Sequence, residues 1–185
     1  MQRAQHTIWA MAFLEPQSEK MLRKFFVDQC GVKQRLVVRD MHCTVYHARR
    51  PIAGIANREE PLDIWIPGPE LRMMTLTPGG ENLRPEIDAT KSAIGVRIRR
   101  ASGASDLLEN LRNRFVSLET SLVLGNRLPS NRLRSAFGAS HYQPHIAVLR
   151  AKSLSDPDLS KIGSLLRNHV DGIKFDRLVV RYRSN

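Results

Sequence analysis

The hydrophobic positions of this chain follow the period of a strand in some segments and the period of a helix in others. "HTIWAMAFLEP" is an apolar run that ends at a proline, and it predicts a buried strand. "SEKMLRKFFVDQCG" carries four apolar residues at helical spacing and ends in a glycine, which is typical of a helix. "LVVRDMHCTVYHA" alternates around His42 and predicts a second strand. The chain therefore begins with a strand, a helix and another strand.

A similar order of elements follows in the second part of the chain. "ELRMMTLTPG" and "AIGVRIRRA" predict strands, "SDLLENLRNRFVSLETSL" predicts a helix, and "PHIAVLR" predicts a strand that begins near His145. "DPDLSKIGSLLRNHV" and "FDRLVVRYRS" predict a last helix and a last strand. Residues 52–69 are rich in proline, glycine and charge and predict an irregular connection, and residues 126–140 predict a basic surface loop. We expect one α+β domain over residues 1–185, built from two similar halves.

Length and composition limit the class of protein. With 185 residues, of which 42% are hydrophobic, the chain is long enough for one good-sized core. Its two cysteines are too few for a disulfide framework, and its longest apolar run is too short to cross a bilayer. We therefore expect a cytoplasmic protein with no membrane partner, most simply a monomer.

The charge balance points to an anionic partner. Lys and Arg together number 29 against 18 Asp and Glu, which leaves a net charge of +11, and only seven of the 29 are Lys. Guanidinium groups bind phosphate through two hydrogen bonds, so this bias suits a phosphate-bearing partner such as RNA or a nucleotide. The alternative is that an Arg-rich composition reflects the codon usage of the source genome.

The two histidine strands suggest a shared site. Strict alternation predicts two sets in the first strand: His42, Thr44 and Tyr46 on one face, and Cys43, Val45 and His47 on the other. In the second strand, His145 and Ala147 share the corresponding face. Two histidines that face a common cleft suit a phosphodiester reaction, with one acting as base and the other as acid.

A metal site is the alternative for the polar residues of the first strand. Its ligands would be Cys30, His42, Cys43 and His47. Neighbouring His42 and Cys43 point to opposite sides of a strand, and the set lacks the paired close spacings of structural zinc sites. "TPGGEN" predicts a turn and no phosphate-binding glycine loop. We therefore expect neither a metal nor a cofactor.

The two motifs together resemble those of a known family. His-x-Thr in a strand, a long gap, and then aromatic-x-Pro-His-x-small in "YQPHIAVLR" are similar to the motifs of the two-histidine (2H) phosphoesterase superfamily. That superfamily includes 2′-5′ RNA ligase-like proteins, cyclic nucleotide phosphodiesterases and exonucleases that trim RNA 3′ ends. The resemblance covers nearly the whole chain, from the first strand to "FDRLVVRYRS".

The resemblance implies a fold and a set of roles. The fold would be bilobal, with two antiparallel sheets flanking a central cleft, helices outside, a pseudo-twofold axis and no metal. The implied roles are an acid/base pair at His42 and His145, phosphate contacts at Thr44 and Arg150, and an aromatic position at Tyr142. Ala147 departs from the family pattern, which usually has Thr or Ser there. Gln143, Tyr142 or an arginine would complete the phosphate pocket.

Two further substrate contacts come from the residues themselves. Arg97 alternates with apolar residues on its strand and is predicted to line the cleft, unless that face is simply exposed. Tyr142 could stack on a base, although most aromatic residues belong to a core.

Two functions follow as hypotheses. The first is a metal-independent phosphodiesterase that hydrolyses a 2′,3′-cyclic phosphate, a 2′-5′ linkage, a cyclic oligonucleotide or an RNA 3′ end. The second is a catalytically impaired RNA- or nucleotide-binding module on the same scaffold, in which Ala147 marks impaired catalysis. The absence of one hydroxyl hydrogen bond to phosphate costs roughly 1.5–3 kcal/mol, or about 10- to 150-fold. The absence of an acid or base costs about 10²–10⁴-fold. Because both histidines are retained, we favour the enzyme.

Overall fold

A computed structural model of the protein describes residues 8–48, 54–76, 93–99, 103–125, 142–150 and 156–182. The surface loop predicted at residues 126–140 lies outside these ranges. The described chain forms seven strands and three helices: β1 Ile8–Leu14, α1 Pro16–Lys24, β2 His42–Ala48, β3 Arg58–Pro67, β4 Leu71–Leu76, β5 Ala93–Ile98, α2 Gly103–Leu124, β6 His145–Leu149, α3 Asp156–His169 and β7 Gly172–Tyr182.

The strands form one antiparallel sheet in the order β3-β7-β1-β2-β6-β5-β4. The α+β class predicted from the sequence is confirmed. In place of two sheets, the hydrogen bonding is continuous across both halves of the chain, which meet where Cys43 of β2 pairs with Ile146 of β6. An unpaired strand edge leaves backbone N–H and C=O groups without partners, so pairing the inner edges of the two halves satisfies them.

The segment expected to be an irregular connection contains a strand instead. Residues Arg58–Pro67 form β3, which pairs with β7 along most of its length. The prolines at positions 61 and 67 disfavour a strand in the sequence pattern, because proline has no N–H to donate. β3 lies at the edge of the sheet, where one side of the strand is unpaired and proline is tolerated.

The two faces of the sheet differ in what covers them. Along β1, Ile8, Ala10, Ala12 and Leu14 are buried, while Trp9, Met11 and Phe13 are half-buried. Helix α2 packs on the buried side, where the Phe115 ring stacks on Tyr46 at 5.2 Å between centroids. Helix α3 packs beside β4, with Gly163 next to Met73. We call the side under α2 the helix face, and the side that carries Met11 and Phe13 the histidine face.

Gly68 lies at a close approach between two parts of the chain. Its N–H donates to the carbonyl of Asp171 at 2.7 Å, and a Cβ on Gly68 would overlap the carbonyl oxygen of Val170. Since the clash would be with backbone, a flexible side chain cannot relieve it. This contact fixes the turn after β3 to the end of α3.

Gly68→Ala is therefore expected to lower the free energy of unfolding by about 1–3 kcal/mol, the usual cost of overpacking. Urea unfolding followed by circular dichroism measures the change. Gly103→Ala is the matched control, because a Cβ at Gly103 would meet no atom within 4 Å. Equal unfolding midpoints for the two variants would contradict the close packing at Gly68.

Candidate active site

The pairing of β2 with β1 decides which residues of β2 share a face. Phe13 pairs with His42 and Met11 pairs with Thr44, so both polar side chains lie on the histidine face. Both are half-buried, while Cys43 between them is fully buried. This part of the predicted alternation is confirmed.

Beyond Thr44 the prediction is wrong. The register shifts between Ala10 and Met11, which leaves one extra residue, Val45, in β2. An extra residue inverts the alternation of every side chain that follows it. Tyr46 therefore lies on the helix face, where its hydroxyl donates to Glu119 at 3.0 Å. His47 pairs with Trp9 and belongs to the histidine face, where it is 7% exposed.

The pairing of β2 with β6 brings the two motif histidines together. Because Cys43 pairs with Ile146 in antiparallel register, His42 lies beside Ala147, and Thr44 lies beside His145. All four flanking residues are half-buried, whereas Cys43 and Ile146 are buried. His42 and His145 are then diagonal neighbours, at a typical spacing of about 7–8 Å.

The two imidazoles make the same hydrogen bond. Nδ1 of His42 lies 2.8 Å from the carbonyl oxygen of Asp40, and Nδ1 of His145 lies 2.9 Å from the carbonyl oxygen of Gln143. A carbonyl only accepts, so in each ring Nδ1 carries the proton that is donated. Nε2 of the neutral ring is then left with its lone pair. Both rings hold the tautomer that a proton-transfer site requires.

The backbone before His42 is shaped to present its acceptor. Asp40 has φ of 54°, in the left-handed region that asparagine and aspartate enter more readily than most residues. The next residue, Met41, is fully buried and its carbonyl accepts from Leu14 N–H at 3.1 Å. Phe13 also contacts the ring of His42, with 5.1 Å between centroids. A hydrogen bond and a ring contact thus hold the imidazole.

Arg97 joins the pair through β5. It pairs directly with His145 across the β5–β6 ladder and is exposed. Since directly paired residues of antiparallel strands share a face, the guanidinium of Arg97 extends from the histidine face next to His145. The structure therefore brings together His42, Thr44, His145 and Arg97.

Tyr142 is placed elsewhere. Its hydroxyl lies 3.5 Å from Cys43 Sγ and donates to the carbonyl of Thr44 at 3.4 Å, and the guanidinium of Arg112 on α2 lies 5.3 Å from its ring centroid. These contacts direct the ring toward α2, so its position does not support base stacking. Burial, and next the neighbouring Cys43, raise the pKa of Tyr142 well above its ordinary value.

For the other two predicted residues, the structure gives backbone hydrogen bonds. Gln143 acts on the site through its backbone carbonyl, which accepts from His145. Arg150 follows His145 by five residues, or about 16 Å of extended strand, and its N–H donates to Leu36. The structure therefore does not bring Arg150 to the histidine pair.

Two neighbours of the site were not predicted from the sequence. Phe13 contacts His42, and the guanidinium of Arg177 on β7 lies over the Phe13 ring, 5.2 Å from its centroid. The alternation of "WAMAF" indicates that Phe13 shares a face with Trp9 and Met11. The order of strands in the sheet decides which side chains flank Phe13 on that face, and alternation along one strand does not specify that order.

Comparison of the sequence with family models and with curated proteins finds no match. In the ranges that the structure describes, no three His, Cys, Asp or Glu residues are grouped so that they could hold a metal ion. Among the helices of those same ranges, none is both long enough and apolar enough to cross a membrane.

The buried position of Cys43 yields a chemical test of the face assignment. Burial raises the pKa of the Cys43 thiol to about 11, and Cys30 is only partly buried. Because the thiolate is the reactive form, iodoacetamide at about pH 8 is expected to alkylate Cys30 well before Cys43 in the folded protein. Peptide mass spectrometry measures both rates.

Alkylation in concentrated guanidinium chloride is the control, since both thiols are then exposed and should react alike. If Cys43 in the folded protein reacted as fast as Cys30, Cys43 could not lie under α2, and the assignment of His42 to the opposite face would fail with it.

Proposed function

We propose that this protein is a metal-independent phosphodiesterase of the two-histidine type, in which His42 and His145 act as the general acid and base. The observation that carries the proposal is the matched hydrogen bonding of the two rings, each of which donates from Nδ1 to a carbonyl two residues earlier. The two imidazoles also lie on one face as diagonal neighbours, although 103 residues separate them in the sequence.

The chemistry needs one proton acceptor and one proton donor around a single phosphate. One neutral imidazole accepts a proton from water through Nε2 as the water oxygen forms a bond to phosphorus. The bond from phosphorus to the leaving ribose oxygen breaks, and the other, protonated imidazole donates its proton to that oxygen. The overall reaction adds one water to a 2′,3′-cyclic phosphate, a 2′-5′ linkage, a cyclic oligonucleotide or an RNA 3′ end.

In this proposal, Thr44 and Arg97 hold the phosphate oxygens. Thr44 lies beside His145 in the β2–β6 pair, and Arg97 lies on the other side of His145. The position symmetric to Thr44 is Ala147, next to His42, and it has no hydroxyl. The charge of Arg97 compensates for the missing hydroxyl, because a hydrogen bond from a charged donor is about twice as strong as a neutral one.

The proposal extends to the finer arrangement of the fold. The strands β3-β7-β1-β2 and β6-β5-β4 form two lobes related by a pseudo-twofold axis between Cys43 and Ile146, with a cleft over the histidine face. The position of the two histidine strands at the junction of these halves supports this arrangement. The proposal also takes the protein to be a cytoplasmic monomer that acts on RNA or a nucleotide without a cofactor.

A binding module on the same scaffold is the second candidate. It is favoured by Ala147, a half-buried residue on the histidine face that offers no hydrogen bond to phosphate. Such a module would bind RNA with strong salt dependence and release it unchanged. The two candidates differ in whether removal of an imidazole affects turnover.

His42→Ala and His145→Ala are each expected to lower kcat/KM for a 2′,3′-cyclic nucleotide or an RNA ending in a 2′,3′-cyclic phosphate by about 10²–10⁴-fold. The wild-type rate should persist in EDTA. It should also show a bell-shaped dependence on pH, since one imidazole must be neutral and the other protonated. Steady-state kinetics across pH provides the measurement.

His169→Ala is the matched control. His169 is an exposed histidine of α3 whose Nδ1 also bonds to a backbone carbonyl, that of Leu165 at 2.9 Å. Its removal should leave kcat/KM unchanged. Equal rates for wild type and the His42→Ala/His145→Ala double variant would refute the enzyme, and RNA binding without turnover in both would favour the module.

A further inference from the structure

The basic side chains near the two histidines are distributed unevenly over the sheet. On the β5 and β4 side, Arg97 pairs with His145, and Arg72 pairs with Arg97 in the next strand. Directly paired residues share a face, so both side chains leave the backbone on the histidine face. With strands about 4.8 Å apart, Arg97 and Arg72 lie one and two strands, about 5 and 10 Å, from His145.

Two more arginines surround Arg72. Arg99 follows Arg97 at the next same-face position and is exposed, with its N–H bonded to the carbonyl of Glu70 at 2.8 Å. Arg167, in the last turn of α3, lies next to Gly163, as does the side chain of Met73 in β4. Burial, and then repulsion from Arg167, Arg99 and Arg97, lower the pKa of Arg72. We call these four residues the arginine strip.

Within the described parts of the chain, none of the four arginines forms an ion pair. The guanidinium of Arg72 instead donates to backbone carbonyls, including the carbonyl of Leu71 at 2.8 Å. Like charges gathered in one place destabilise the free protein, and an anionic ligand would relieve their repulsion.

The other half of the sheet is different. There, Lys174 pairs with Asp63 at 2.8 Å, and Arg177 lies 3.9 Å from both Glu59 and Asp176. Next to His42, β1 presents Trp9, Met11 and Phe13, which are aromatic or apolar. Among the described residues, the arginines without an ion pair that lie nearest to the histidines are therefore those on the β5 and β4 side. In the other half, Arg181 lies beside Trp9, four residues along β1 from the Phe13 that contacts His42.

We infer that Arg72, Arg99 and Arg167 of the arginine strip bind the phosphates adjoining the scissile one, so that the substrate is an oligoribonucleotide whose chain runs from the histidine pair across β5 and β4. A free cyclic mononucleotide has one phosphate, which the histidines, Thr44 and Arg97 hold, and the other three arginines of the strip would then have no ligand. A chain of nucleotides supplies a further charge about every 3.4 Å along a stacked strand, within reach of Arg72 and Arg99. The inference rests on the proposed function for the position of the scissile phosphate.

The test compares two substrates that share a scissile group: a 2′,3′-cyclic mononucleotide and a short RNA ending in a 2′,3′-cyclic phosphate. The quantity measured is the ratio of their kcat/KM values. Wild type should favour the RNA, and Arg72→Gln should lower the ratio roughly 10-fold, because a charged hydrogen bond to phosphate is removed. Arg72→Lys should retain most of the wild-type preference for the RNA. The salt dependence of log(kcat/KM) for the RNA should become shallower by about 0.7 for each phosphate that is no longer neutralised.

Arg181→Gln is the matched control. Arg181 of β7 is exposed and pairs with Trp9 on the histidine face. Trp9 lies four residues along β1 from Phe13, so Arg181 is far from the strip. Its removal changes the net charge equally and should leave the ratio unchanged. Equal effects of Arg72→Gln and Arg181→Gln, or a wild-type ratio near one, would overturn the inference while leaving histidine-dependent turnover intact.

Fluorescence anisotropy with a labelled RNA that lacks the cyclic phosphate separates this inference from the proposed function. If neither wild type nor either variant turns over either substrate, the hydrolase proposal fails. The strip is then judged by affinity alone: Arg72→Gln should weaken binding about 10-fold relative to wild type and Arg181→Gln. Equal affinities of the three proteins would overturn the strip.

Discussion

The contact on which this structure depends is the pairing of Cys43 with Ile146, where β2 meets β6 at the middle of the sheet. It joins the two halves of the chain, and its buried residues leave the flanking positions on the histidine face. His42 and His145, which are 103 residues apart in sequence, become neighbours only because of this pair. A shift of one residue in its register would turn one of the two imidazoles toward the helices and separate the pair.

Backbone carbonyls orient the side chains that the proposed reaction uses. The carbonyls of Asp40 and Gln143 set the tautomers of the two imidazoles, and the buried Met41 fixes the first of these carbonyls in place. On the helix face, Tyr142 reaches Cys43 and the Thr44 carbonyl, so it supports the strand that bears the site. We therefore assign Tyr142 to the positioning of β2, whereas the proposed substrate contacts come from the opposite face through side chains such as Arg97.

The α+β class, most helices and strands and the face shared by His42 and Thr44 were predictable, because apolar periodicity is a local property of the sequence. Three features were not. The extra residue at Val45 exchanged the faces of Tyr46 and His47, and a bulge shows only in the register with a partner strand. β3 was not predicted because it contains Pro61. Proline is tolerated in an edge strand, and the sequence does not show which strand lies at the edge. The arginine strip brings together β4, β5 and α3, which sequence spacing alone does not place side by side.

The central claim is that both imidazoles carry their proton on Nδ1 and present Nε2 to one shared phosphate. Long-range ¹H–¹⁵N correlation spectra of the histidine side chains test it directly, with His42→Ala and His145→Ala used for assignment. We expect both neutral rings to show a protonated Nδ1 and an unprotonated Nε2, and titration with inorganic phosphate to shift the two Nε2 resonances together. A protonated Nε2 in either neutral ring, or a response of one ring alone, would contradict the claim.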